Sequence, residues 1–179
     1  MSTPTKPSPA KLIASVISSK DNLISHACEE LSKIYGKIDF ISDLFPFNHT
    51  NYYHQEMGFP LWRRFISFCN LIPKNSIPDI KLKTNELERG LSNSQGRRRV
   101  NIDPGYISLE NLILATGKNY THRIYLDEGI YADLTLMFKE GGFRALKWTY
   151  PDYKSRKIIE IFNGIRERYR LQLKTDRGI

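Results

Sequence analysis

Apolar and polar positions divide the chain into stretches with strand spacing and stretches with helix spacing. "KLIASVISS", residues 11–19, is apolar on both sides and predicts a mostly buried first strand. Leu23, Ile24, Ala27, Cys28, Leu31, Ile34 and Tyr35 then recur at helical spacing, with Ser19 as the expected N-cap and Gly36 as the stop. "KIDFISDLF" alternates as a second strand, and "PFNHTNYYHQEMGFP" predicts a long polar and aromatic loop bracketed by prolines. "LWRRFISFCNLI" predicts a third strand covered on both faces. A second helix is expected from about Ser76, with Pro78 in its first turn and Ile77, Ile80, Leu87 and Leu91 on one side. "RRRVNID" alternates as a fourth strand, with Val100 and Ile102 facing one way and Arg99, Asn101 and Asp103 the other.

The order β-α-β-β-α-β predicts an α+β chain with a ferredoxin-like core over residues 11–103. Beyond it, "DPG" predicts a turn, after which Ser108 caps a short helix "LENLILAT" that stops at Gly117. "HRIYL" and "IYADLTLMF", joined through Asp127, Glu128 and Gly129, predict a hairpin, and "FRALKW" extends it into an antiparallel β-meander. A closing helix from about Lys154 to Leu173 is expected to bury Ile158, Ile161, Phe162, Ile165, Tyr169 and Leu173. Residues 1–10 carry three prolines and predict a flexible arm. The expected organisation is that arm followed by one α+β domain, residues 11–179, of which 104–179 are the meander and helix extension.

Composition narrows the class. A hydrophobic share of 40% and an aromatic share of 12% over 179 residues suit a folded domain with its own core. No apolar run approaches the roughly 20 residues needed to span a bilayer, and the N-terminus lacks a leader pattern, so no membrane partner and a cytoplasmic location are expected. Cys28 and Cys69 lie in apolar periodic segments and are expected to be buried and reduced. Of the net charge of +8, a surplus of five falls between Lys154 and Arg177, where eight Lys/Arg face three acids. A solvated basic helix face accounts for this as well as a nucleic-acid surface does. "ATGK", residues 115–118, lacks the phosphate-loop pattern, and no G-x-S-x-G elbow is present.

Candidate chemistry gathers in four segments. In the hairpin, Ile124, Leu126, Ile130, Ala132, Leu134, Leu136 and Phe138 predict one apolar face. Arg123, Tyr125, Tyr131 and Asp133 then fall on the opposite face, with His122 at the strand's entrance. "TNYYHQEMG", "NIDPGY" and "WTYPDY" are the other three, each at a strand end or loop where binding groups are usually mounted. His49, His54, Glu56, Asp103 and His122 include metal-binding residue types, but no H-E-x-x-H or Cys-x-x-Cys fixes their spacing, so no metal is assigned and the cofactor stays unknown. Glu56, Asp103 and His122 are the candidate proton carriers. Arg64, Arg99, Lys118 and Arg123 are the candidate cationic donors to an anion, with Tyr53, Tyr125 and Tyr131 available to stack on an aromatic moiety and Asp133 beside them.

With those four segments in that order, the chain resembles a bacterial family of uncharacterised proteins known as domain of unknown function 4416. The resemblance runs from "PAKLIASVISS" to the last helix. Motif residues of that family present here are Tyr53, Glu56, Asn101, Asp103, Tyr106, His122, Arg123, Tyr131 and Asp152, and the family often carries Glu where this chain has Asp133. No activity is implied, but a shared pocket is, and it adds Asn101 and Asp152 to the ligand-binding set. The leading expectation is a protein that binds a small anionic ligand, phosphorylated or nucleotide-like, with enzymatic activity left open. An RNA-binding module using the basic surface and a structural or interaction protein acting as a homodimer are the alternatives.

Overall fold

The computed structural model describes residues 1–48 and 52–176. His49 of the metal-type set, and Thr50 and Asn51 of "TNYYHQEMG", lie outside the described residues. The chain is α+β, with helices on both faces of a large antiparallel sheet. Its elements are β1 (Ala10–Ser18), α1 (Asp21–Tyr35), β2 (Ile38–Ile41), β3 (Phe45–Pro46), α2 (His54–Met57), β4 (Trp62–Ile72) and α3 (Ile77–Gly90). Then follow β5 (Val100–Ile107), β6 (Asn111–Thr116), β7 (Arg123–Asp127), β8 (Ile130–Lys139), β9 (Gly142–Ala145) and α4 (Arg156–Asp176). Among the described residues nine strands form one sheet in the order β2-β4-β1-β5-β6-β8-β7, with β3 beside β4 and β9 beside β8.

β1 lies inside the sheet, between β4 and β5, and every one of its residues is buried. Its even-numbered side chains Leu12, Ala14 and Val16 share a core with Ile24, Ala27 and Leu31 of α1 and Ile77 and Ile80 of α3. Ile13 faces the other way, into a second core with Phe65, Leu112, Leu136 and Phe143. The helical stripe Ile158, Phe162, Ile165, Tyr169 and Leu173 of α4 closes that core. Each such side chain contributes roughly 1.5–3 kcal/mol of transfer free energy. Polar side chains fix the helix in place: the Tyr169 hydroxyl donates to the Pro9 carbonyl (2.7 Å) and Gln172 Nε2 to that of Cys69 (2.6 Å). The buried Lys11 ammonium sits between Gln172 Oε1, 3.0 Å away, and the Asp39 carboxylate.

Several expectations need correction. The short helix over 109–116 is strand β6: four consecutive buried residues, Leu112–Ala115, fit a doubly covered strand, and a run that short has no helical period to tell it apart. Ser108 ties the turn before it, its hydroxyl accepting the N–H groups of Glu110 (3.2 Å) and Asn111 (3.1 Å). "DPG" is no turn either, since β5 runs straight through it with Pro104 opposite Ala14 of β1. Ser19 does not cap α1; Lys20 holds the N-cap position without a side-chain bond. The second strand breaks into β2 and β3 around Ser42, whose hydroxyl accepts the Phe65 N–H (2.9 Å). The last meander strand is shorter than "FRALKW", ending at Ala145.

The hairpin faces also differ from simple alternation. A register shift between Leu112 and Ile113 sets Leu136 opposite Leu112 but Leu134 opposite Ile113, leaving Thr135 as the extra residue of a β-bulge. Asp133 and Leu136 therefore point to the same side. Ile124 and Leu126, expected inside, are 69% and 38% exposed, whereas Asp133 is 4% exposed. Trp148 and Thr149 turn back onto the bulge, donating to the carbonyls of Leu134 (2.8 Å) and Thr135 (2.6 Å).

Gly105 sits where β6 presses closest, and a Cβ there would lie 2.3 Å from the Ile113 carbonyl oxygen. Gly105→Ala is expected to destabilise the fold by about 1–3 kcal/mol. Gly164 of α4 has nothing within 4 Å of its would-be Cβ, so Gly164→Ala is expected to stabilise by about 0.4–1 kcal/mol. Urea unfolding of the two variants checks the opposite signs.

Candidate functional site

β5 and β6 are paired only between Gly105–Ile107 and Leu112–Leu114, and beyond that point the sheet opens. Ile102, on the unpaired part of β5, turns a buried N–H and C=O away from β1. Glu88 Oε1 accepts that N–H at 2.6 Å and Lys81 Nζ donates to that carbonyl at 2.7 Å. Left unpaired, such a group would cost about 1–3 kcal/mol. Both side chains come from α3, where Lys81, Thr84 and Glu88 follow one another on the buried face.

The opening is a cavity of about 610 Å³. Arg63 of β4 and Asn101 and Asp103 of β5 line one side; Leu114 to Lys118, Arg123 and Asp133 line the other. Tyr52, Tyr53 and the turn from Tyr150 to Tyr153 also line it, as do Phe47, Arg98 and the α3 residues Lys81, Asn85 and Glu88. Three groups of ionic contacts hold its side chains. In the first, Arg98 donates to Glu56 Oε2 from Nη2 (2.8 Å) and Nε (3.2 Å), and to Asn101 Oδ1 from Nη1 (2.9 Å). Asn101 Nδ2 passes the chain on to Asp103 Oδ2 (2.7 Å), whose other oxygen is 3.5 Å from Lys81 Nζ. In the second, Arg123 donates from Nε to Asp133 Oδ2 (2.8 Å), from Nη1 to the Lys118 carbonyl (2.9 Å) and from Nη2 to the Tyr150 hydroxyl (3.2 Å). His122 Nε2 is 3.3 Å from the same Asp133 oxygen, and its ring stacks on Trp148. In the third, buried Arg63 pairs with Asp152 while its guanidinium lies over the rings of Phe47 (4.4 Å) and Tyr153 (5.3 Å).

Five cations and four carboxylates line the cavity, and Glu56 adds a fifth carboxylate behind Arg98. Arg63, Lys81, Arg98 and Arg123 each have a carboxylate partner, but Lys118 has none among the described residues; its ammonium lies 4.2 Å from the centre of the Tyr52 ring. The hydrogen bond from Arg98 holds the Glu56 carboxyl below its usual range, whereas burial raises that of Glu88 against the opposing pull of Lys81. Burial also raises the Tyr53 phenol, and pushes that of Tyr153 up to about 12.

Of the expected residues, the cavity brings together Tyr53, Asn101, Asp103, Lys118, Arg123, Asp133 and Asp152. Glu56 and His122 stand behind the lining, one holding Arg98 and the other Asp133. Arg64 and Arg99 do not line it: Arg64 points to the α1 side, 3.8 Å from Asp21, and their chain neighbours Arg63 and Arg98 take the places expected of them. Tyr125 and Tyr131 pack on each other outside the lining (5.4 Å), and Tyr106 packs against the α1/α3 core. Among the described residues no three His, Cys, Asp or Glu side chains are grouped to hold a metal ion. No helix among them is long and apolar enough to cross a membrane. Lys81 and Glu88 were missed, yet a lysine and a glutamate seven apart on the stripe that buries Ile77 and Thr84 are a readable sign. A second hollow, of about 460 Å³, lies between β9 and α4, where Arg144 pairs with Glu140 and Arg156 with Glu160.

A family model described as Domain of unknown function (DUF4416) matches residues 8–169. The chain belongs to this family. No curated protein and no solved structure matches it. In this DUF4416 chain, each of the four segments that carried the resemblance supplies a residue to the cavity or to a group that holds its lining.

Lys81→Met would strand the Ile102 carbonyl and is expected to cost about 1–3 kcal/mol in urea unfolding, with no ligand present. Glu56 has a folded pKa below its ordinary 4.5, so its stabilisation is present above that pH and is lost as pH falls through the folded value. Glu56→Gln is therefore expected to flatten the acid limb of the stability profile. The loss at neutral pH should stay under about 1 kcal/mol, because the carboxylate is 37% exposed.

Proposed function

We propose that this protein binds a small anionic ligand, phosphorylated or nucleotide-like, in the cavity between β5 and β6. The observation that carries this reading is the unequal pairing of charge. Four lining cations are neutralised from within the protein, while Lys118 sits at the rim beside the Arg123 guanidinium without a carboxylate partner among the described residues. An anionic group of the ligand takes that position, where it gains charge-assisted hydrogen bonds. The rings of Tyr52 and Tyr150 flank it and suit a planar moiety, and the Asn101–Asp103 pair offers a donor and acceptors deeper inside. Asp103 is the carboxylate of the candidate proton carriers that lines the space directly.

With this function we propose a cytoplasmic location and a single domain after the N-terminal arm. We propose further that residues 11–103 form a ferredoxin-like core; the order β2-β4-β1-β5, all antiparallel, with α1 and α3 on one face, supports that reading.

Thermal-shift measurements with a panel of nucleotides and phosphorylated metabolites test the binding. A ligand present at 100 times its Kd should stabilise by about 2.7 kcal/mol, which for a chain of this size is a rise of roughly 5–10 °C. Lys118→Ala should abolish that rise without lowering the melting temperature of the free protein. If no member of the panel raises it, the reading fails.

A further inference from the structure

Exposed aromatic rings are usually scattered singly over a protein surface. Here Tyr52 and Tyr150 line the cavity, and Tyr120 and Trp148 adjoin it through His122, which holds the lining residue Asp133. Tyr52, Tyr120, Trp148 and Tyr150 are 61%, 64%, 42% and 51% exposed. The edge of Tyr120 meets the His122 ring (5.6 Å between centres), and His122 in turn stacks on Trp148 (5.2 Å, 18° between planes). Arg123 continues the strip by its bond to the Tyr150 hydroxyl, and Tyr52 lies under the Lys118 ammonium.

These rings are held in place before any ligand arrives. Trp148 donates its indole N–H to the Leu134 carbonyl (2.8 Å) and has the imidazole against its face, so little side-chain freedom remains to be lost on binding. Positive charge accompanies them: the Lys118 ammonium lies over Tyr52, and exposed Lys147 immediately precedes Trp148 in the chain. The arginines of α4, by contrast, are engaged within the molecule. Arg166 donates to the Leu109 carbonyl and Arg168 to that of Asp39, while Arg156 and Arg170 pair with Glu160 and Glu167.

We propose that the cavity takes one nucleotide of a single-stranded nucleic acid whose neighbouring bases stack on this rim. The proposal rests on the anionic-ligand reading of the cavity and names the ligand's class. One small anion would need Lys118 and a single ring. A strip of rings interleaved with cations suits several bases, each with a π-face, joined by phosphates. A volume of about 610 Å³ is suited to one nucleotide.

Fluorescence anisotropy with a labelled mixed-sequence RNA decamer and its DNA counterpart, compared with competition by mononucleotides, tests it. At least one decamer should bind ten-fold or more tighter than any mononucleotide. Tyr120→Ala should weaken decamer binding roughly five-fold or more, the low end of base stacking, and leave mononucleotide binding unchanged. Trp148→Ala should do the same, with circular dichroism confirming that each variant is folded. Equal affinities for decamer and mononucleotide would overturn the strand proposal and leave the small-ligand reading standing. Decamer binding that falls with salt yet ignores both ring substitutions would reduce it to phosphate attraction elsewhere. Decamer binding unchanged by Lys118→Ala would also overturn it, and failure of every nucleotide and both decamers to bind would remove both readings for nucleotides.

Discussion

Two side chains of one helix stand where a strand would otherwise be. Glu88 and Lys81 take the N–H and the carbonyl that Ile102 would have offered to β6, and this substitution lets the sheet part without leaving buried backbone unpaired. The neighbouring residues fit the same geometry. Pro104 brings no N–H to the separating edge, and Gly105 allows β6 to come within contact just where the two strands still touch. "NIDPGY", which looks like a strand end followed by a turn, is a strand built to lose its neighbour halfway.

The interior so formed is polar but nearly balanced in charge. Arginines set among aromatic rings, as Arg63 is, are tolerable because each meets a carboxylate, and the resulting groups hold one another in fixed geometry. On the anionic-ligand reading proposed above, such a lining would discriminate by the direction of its donors and acceptors more than by net attraction. Glu56, expected as a proton carrier, orients Arg98, and Asp133, expected in the ligand-binding set, gathers His122 and Arg123. What is left for an incoming charge lies at the rim.

Much of this was legible in the residues, and the failures have physical causes. The buried first strand, α1 and the apolar stripe of α4 follow from periodicity, and the turn at Asp127–Gly129 from its turn residues. The four segments dense in polar and aromatic residues did supply the cavity. β6 was unreadable because four apolar residues in a row carry neither a strand nor a helix period. Choosing between Arg63 and Arg64, or Arg98 and Arg99, requires knowing which face of the sheet opens, and alternation gives two faces without saying which. Lys81 and Glu88 show in the sequence only as charges on a buried helix stripe; that their partners are the backbone groups of Ile102 is not written in any side-chain pattern.

The bulge at Thr135 has a consequence for how this chain can change length. On its N-terminal side β8 sends Asp133 to the cavity, and on its C-terminal side it sends Leu136 and Phe138 to the core beneath α4, although both point from the same face of the sheet. Two residues separate 133 from 136, so plain alternation would set them on opposite faces, and only the extra residue at 135 brings them to the same one. Loss of the residue at 135 would restore plain alternation and keep both on that face, whereas one further unbulged residue there would turn half of the strand over. The strand is in effect a gear with one offset tooth, and the spacing of that tooth couples the cavity's charge to the seating of the last helix.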